Sequence, residues 1–277
     1  MKKKPIINIV LFLLTFLSTL TVGALHQGVN IIESPALIIK GLPFSLALLG
    51  ILLVHEFSHY LMSRKHGVES SLPYFIPAPT LFGTLGAFIT MRSRITTRNA
   101  LMDIGSSGPI AGFLVSVLAS VVGLYFSEVR SVDGAGTMIV LGDSLLFSTL
   151  TKIMVGAVPE GSDIYLHPVA FAGWIGFFVT SLNLIPVGQL DGGHIAYAIL
   201  GRRHEKISRV LIGVLVVLGL FAFEGWLVWA VLLFFLGAKH PPILFPDVPL
   251  DPKRRAVGFA SLIIFILTFI PVPVAII

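Results

Sequence analysis

Apolar residues run with little interruption through seven parts of this chain, roughly 6–25, 42–62, 103–126, 168–200 (interrupted), 207–223, 225–238 and 257–276. About 20 apolar residues in a helix cross about 30 Å of hydrocarbon, so most of these runs predict membrane-spanning helices. The 225–238 run is short for a crossing. The pattern therefore predicts an all-α polytopic membrane protein with seven transmembrane helices, or six if that run only dips in. The first run follows Met1-Lys2-Lys3-Lys4 and ends near Val22-Gly23-Ala24, as a secretory signal would. Its apolar core exceeds the ~7–15 residues of such signals, which favours a retained anchor.

One apolar segment cannot be a continuous helix. "SLPYFIPAPTLFGTLGAFITM" (Ser71 to Met91) is broken by Pro73, Pro77, Pro79, Gly83 and Gly86, and proline removes a helix hydrogen bond and clashes with the preceding turn. The alternation from Thr84 to Thr90 predicts a short strand or hairpin. Non-helical backbone is tolerated at membrane depth only where protein or a polar cavity satisfies it. The segment is therefore expected to be a re-entrant β-hairpin lying over a cavity.

Composition agrees with the pattern. The 277 residues are 55% hydrophobic and only 12% charged, against about 25% charged in soluble domains. Cysteine is absent, so any metal must be held by nitrogen and oxygen ligands. The net charge of +5 matters less than its placement. Sixteen of the nineteen Lys and Arg residues fall in the connections 1–5, 63–102, 201–209 and 239–256, which the positive-inside bias puts in the cytoplasm. Lys40, Arg130 and Lys152 remain outside, the last two in the connection 127–167 with Glu128, Asp133, Asp143, Glu160 and Asp163. No linker or repeat divides the chain. One membrane domain over 1–277 is expected, with a core at about 42–200 and accessory helices in 1–41 and 201–277. The lipid bilayer is an expected partner and nucleic acid is not; oligomeric state is open. No Ser- and Arg-rich transit leader is evident, which favours a bacterial or archaeal plasma membrane.

The candidate chemistry sits inside the second run. "LLVHEFSHYL" (Leu52 to Leu61) places His55, Glu56 and His59 where lipid or a dry core would otherwise be. Histidines four apart share a helix face and can grip one metal ion. Glu56, about 100° round the helix, can reach a water at that metal without ligating, the H-E-x-x-H arrangement in which glutamate is the general base. Ionisable residues at this depth are costly unless they bind something. A catalytic zinc site needs three protein ligands, and Asp191 in "SLNLIPVGQLDGGHIAYAIL" is the best third. It follows the break at Pro186 and Gly188 and begins a renewed helix, where capping the helix N-terminus is its alternative use. Glu69 and His66 are expected to be solvated. His194, three residues after Asp191, is expected to orient a ligand by a hydrogen bond. His26, His167, His204 and His240 lie at segment ends and are expected to meet water or headgroups. The glycines of "GSSGPIAGF" suggest close helix packing.

His55-Glu56-x-x-His59 together with Asn183-x-x-Pro186-x-x-x-x-Asp191-Gly192 resembles the site-2 protease family of intramembrane zinc metalloproteases. "LPYFIPAP", "GTLGAF" and "GSSGPIAGF" look like its cyanobacterial and chloroplast thylakoid subgroup, which has no PDZ domain. The resemblance covers roughly 42–200. It implies one Zn2+ per chain held by His55, His59 and Asp191, with Glu56 as catalytic base. It also implies that Asn183 holds substrate backbone or the developing oxyanion, and that the hairpin, through Gly83, Gly86 and Phe88, pairs with the unwound segment of a transmembrane protein substrate. The site would face the cytoplasmic side. Other family members carry a PDZ or nucleotide-sensing domain, for which this chain is expected to have no room. Two other readings fit the polar set: a transporter or proton relay, and a non-catalytic relative that keeps the fold.

Overall fold

The computed structural model describes residues 5–131 and 139–276, so the predicted features at Lys2, Lys3, Lys4 and Asp133 lie outside the described residues. In chain order the elements are α1 (Ile6–Leu25), α2 (Leu42–Lys65), β1 (Tyr74–Pro77), β2 (Thr84–Phe88), α3 (Arg98–Tyr125), β3 (Glu128–Ser131), β4 (Ile139–Leu141), α4 (Leu145–Met154), β5 (Ser162–Tyr165), α5 (Pro168–Leu184), α6 (Asp191–Leu200), α7 (His204–Phe221), α8 (Gly225–Leu236), α9 (Pro252–Thr268) and β6 (Val274–Ile276). The protein is mostly helical. Among the described residues, three helical stretches are long and apolar enough to cross a membrane: α1, Pro35–Lys65 (α2 and the 3₁₀ turn before it) and α3. The later apolar runs form helices that are shorter or more charged. The 168–200 run is split by an irregular turn at 185–190, where Gly188 takes φ +56°, a conformation that costs glycine little.

These helices are built inside out relative to a soluble protein. α1 turns Ile6, Ile9, Leu13 and Leu17 outward and buries Thr15, Thr19, Gly23 and Ala24. Between α1 and α2 the Thr19 and Ser45 hydroxyls lie 2.7 Å apart. α3 likewise exposes Leu114, Leu118 and Val122 and buries Ser116, Ala119, Ser120 and Gly123. Lipid is as apolar as leucine, so small residues that let backbones approach, and hydroxyls that bond across, do the packing between such helices. The main apolar cluster forms where α2 meets α5, around Phe44, Leu48, Trp174 and Phe177. The Trp174 indole N–H donates to the Gly142 carbonyl at 2.7 Å.

The 71–91 segment forms an antiparallel hairpin, with Tyr74 opposite Phe88, Phe75 opposite Ala87 and a register shift before Pro77 opposite Thr84. It lies along α1. The Asn8 amide donates to the Leu72 and Pro73 carbonyls at 3.0 and 2.9 Å, the Ser18 hydroxyl to Gly83 O at 2.6 Å, and His26 Nε2 to Leu81 O at 2.8 Å. One sequence expectation is corrected here. α3 starts at Arg98, not 103, because the Thr97 hydroxyl caps it by accepting from Ala100 N–H at 3.2 Å. Within the 127–167 connection, β3 pairs with β5, α4 lies between them in sequence, and β4 pairs with β6 near the carboxyl end.

Candidate metal centre

α2, α3 and α6 meet at three side chains. His55 Nε2, His59 Nε2 and Asp191 Oδ2 form a triangle whose three sides are each 3.2 Å, and both histidines are buried. Donors about 2.0–2.1 Å from a tetrahedral zinc ion stand about 3.3 Å apart, so the triangle fits one face of such a tetrahedron. The other nitrogen of His59 is also fixed. Nδ1 lies 2.7 Å from the Ile104 carbonyl of α3, which can only accept, so Nδ1 carries the proton and Nε2 offers its lone pair to the centre.

Two further polar groups approach without joining the triangle. Glu56 Oε1 is 4.0 Å from His55 Nε2, and the backbone N–H of Ile89, one residue past β2, faces the Glu56 carboxylate. The Asn183 amide nitrogen on α5 is 3.3 Å from His55 Nε2. The structure thus brings together His55, Glu56, His59, Asn183 and Asp191.

Asp191 does not act as a helix cap. The N-cap of α6 is Leu190, with no side-chain bond, and among the described residues the Asp191 carboxylate bonds only the two imidazoles. Tight backbone packing aims it there, since a Cβ on Gly192 would collide with the Leu184 carbonyl and one on Gly193 with that of Gly188.

The hairpin residues fall in three different settings. Gly83 packs against α1, where a Cβ would lie 2.8 Å from Ser18 O, so it faces α1 and not the centre. Gly86 has open space around it. Phe88 is 47% exposed and stands against Tyr74. Among the described residues β2 pairs only with β1, which leaves its other edge unpaired.

Several histidine expectations are corrected. His194 does not bond Asp191; its Nδ1 meets His240 Nε2 at 2.6 Å. Burial, and then the neighbouring His194, push His240 down to about 3, so it is neutral at physiological pH. His204 is buried and bonds Ser208. His66 is not simply solvated, because its Nε2 contacts Asp103 at 2.8 Å. Glu69 is exposed as expected.

The "GSSGPIAGF" glycines do more than pack helices. A Cβ on Gly108 would fall on the His59 ring, and one on Gly112 would lie 3.0 Å from His55 Nδ1. α3 therefore backs both imidazoles with bare backbone, a role that glycine spacing on its own does not distinguish from ordinary helix contact.

Fold and site together define a membrane protein with a buried centre of two histidines and one carboxylate, able to hold a metal ion. The chain belongs to Peptidase family M50, whose sequence pattern matches residues 43–223. It is similar to "Probable zinc metalloprotease EGY2, chloroplastic" of Arabidopsis thaliana, 32% identical over 85% of this chain and 42% of that protein. It is also similar to the Arabidopsis thaliana "Probable zinc metalloprotease EGY1, chloroplastic", 30% identical over 96% of this chain and 53% of that one. A third relative, "Probable zinc metalloprotease EGY3, chloroplastic" of Oryza sativa subsp. japonica, is 29% identical over 83% and 42%. The chain thus spans about half the length of these curated relatives or less. Their names place them in chloroplasts, so the expectation of a bacterial or archaeal plasma membrane finds no support in them.

Proposed function

We propose that the chain is an intramembrane zinc metalloprotease that hydrolyses peptide bonds in or near transmembrane segments of membrane-protein substrates. The observation that carries this reading is the 3.2 Å donor triangle with the Glu56 carboxylate just outside it, on apolar helices. His55, His59 and Asp191 are the proposed ligands of one zinc ion, as the zinc metalloprotease names of the relatives also suggest. Zinc bound there supplies Lewis acidity, which lowers the pKa of water toward about 7 and polarises a carbonyl.

The chain's own groups supply the rest. Glu56 takes the proton from the attacking water and returns it to the leaving amine. The Asn183 amide, already turned toward the centre, donates to the carbonyl oxygen as negative charge develops there. The unpaired edge of β2 receives the unwound substrate as an added strand, replacing the hydrogen bonds its helix gives up; Gly86 and Phe88 lie on that strand. Gly83 serves instead to seat the hairpin on α1.

The same reading takes 1–277 as one membrane domain, with the core at about 42–200, accessory helices on either side and six or seven crossings in all. The bonds from Asn8, Ser18 and His26 to the hairpin support a re-entrant placement, since those three residues are spread along nearly the whole length of α1. His59 lies six residues before the end of α2, about 9 Å at 1.5 Å per residue, toward the side that carries the basic connections. We take that side as cytoplasmic in orientation. A proton relay would string its groups in a line, whereas these three close a triangle.

The test is cleavage of a transmembrane substrate by the purified chain in liposomes. Glu56→Gln is expected to keep zinc and lose activity by at least about 10²–10⁴-fold, and Asp191→Ala to lose both. Undiminished cleavage by Glu56→Gln would overturn the reading.

A further inference from the structure

A cavity of about 650 Å³ opens where the start of α1, the last turns of α2 and the foot of the hairpin meet. It is lined by Arg64 and Arg92, by Tyr60 and Tyr74, and by Ser70 and Leu72. The mechanism proposed above uses none of them. Both guanidinium groups are exposed and make no ion pair among the described residues; Arg64 lies 5.8 Å over the Tyr60 ring. One acid, Glu69, also lines the cavity, leaving the two cations in excess.

The position matters as much as the charge. The cavity reaches Pro5, Ile7 and Asn8 at the start of α1, with Ile7 64% exposed on its lipid-facing surface. It therefore sits at the boundary between water and hydrocarbon, on the side that the basic connections occupy. Tyrosines are favoured at that depth because the ring is apolar and the hydroxyl polar. Basic pockets between helices at this level complement anionic headgroups, and a guanidinium presents paired N–H groups that match phosphate oxygens. Leu72 and Ile7 offer apolar surface to the chain that leads away from the headgroup.

We propose that this cavity binds the phosphate of an anionic phospholipid headgroup, with Arg64 and Arg92 on the phosphate oxygens. The assignment stands whether or not the metal centre is hydrolytic.

The test titrates the purified full chain in nonionic detergent with phosphatidylglycerol, phosphatidylcholine or inorganic phosphate, and counts retained ligand by native mass spectrometry. Phosphatidylglycerol is expected to be retained, and its affinity to fall about thirtyfold in the Arg64→Gln/Arg92→Gln double variant. The double variant Arg94→Gln/Arg255→Gln, which removes the same charge from exposed sites outside the cavity, is expected to leave retention unchanged. Zinc content should be equal in all three proteins. Equal loss in both double variants would reveal only diffuse attraction and overturn the proposal. So would equal retention of phosphatidylcholine, or inorganic phosphate binding as tightly as the lipid.

Discussion

The Ile104 carbonyl decides which nitrogen of His59 carries the proton, and bare backbone at Gly108 decides where the ring can lie. Neither group would touch a metal at the centre, yet both fix the direction of the His59 lone pair; loss of such outer partners of a metal ligand costs about 10–100-fold in metal affinity. Gly108→Ala is expected to lower zinc affinity by about that factor, because the new methyl group must displace the imidazole. Gly50→Ala on α2, where a Cβ meets nothing within 4 Å, is expected to leave it unchanged; zinc titration with circular dichroism as a folding check reads both. His55, Glu56 and His59 were legible in the sequence because their spacing of one and four is local to one helix. Asp191 needed the break at Pro186 and Gly188 to draw notice. The His194–His240 contact was not legible, since it joins residues 46 positions apart and neither carries a pattern that names the other.

Among the elements, the hairpin shows how punctuation and placement differ. Prolines and glycines announce that 71–91 is not a helix, and the alternation announces a strand. Nothing local states that the hairpin lies along α1 or that Ile89, just beyond β2, comes to face Glu56. Gly83 joins these facts: its φ is +76° and a Cβ would press on Ser18 O at 2.8 Å. Gly83→Ala is expected to cost about 1–2 kcal/mol of local stability and to shift the hairpin on α1. Zinc content should stay at the wild-type level while kcat/KM for a transmembrane substrate falls, a split that comparing metal analysis with cleavage kinetics would reveal. Concurrent loss of zinc would mean that the hairpin holds the metal centre and not just the substrate edge.

Across the whole molecule, one acid ties the carboxyl-terminal part to the core. Asp103 on α3 accepts from Arg254 on α9 at 2.8 and 2.6 Å and contacts His66 just past α2 at 2.8 Å, while Arg254 also pairs with Asp251, whose carboxylate caps α9. Asp103→Asn is expected to lower stability by about 1–2 kcal/mol, less at high salt, since these partly exposed bonds involve charged groups; thermal unfolding at two salt concentrations measures it. The sequence by itself determined the membrane class, the local H-E-x-x-H grip and the hairpin's break from helix, because hydrophobic run length, helical spacing and proline each act within a few residues. Tertiary structure alone decided that Asp191 meets the histidines instead of capping its own helix, that α3 glycines cradle the rings, and that Asp103 clasps Arg254. Each of those depends on where distant backbones come to rest, and small-residue packing between lipid-facing helices sets that through contacts no single stretch of chain contains.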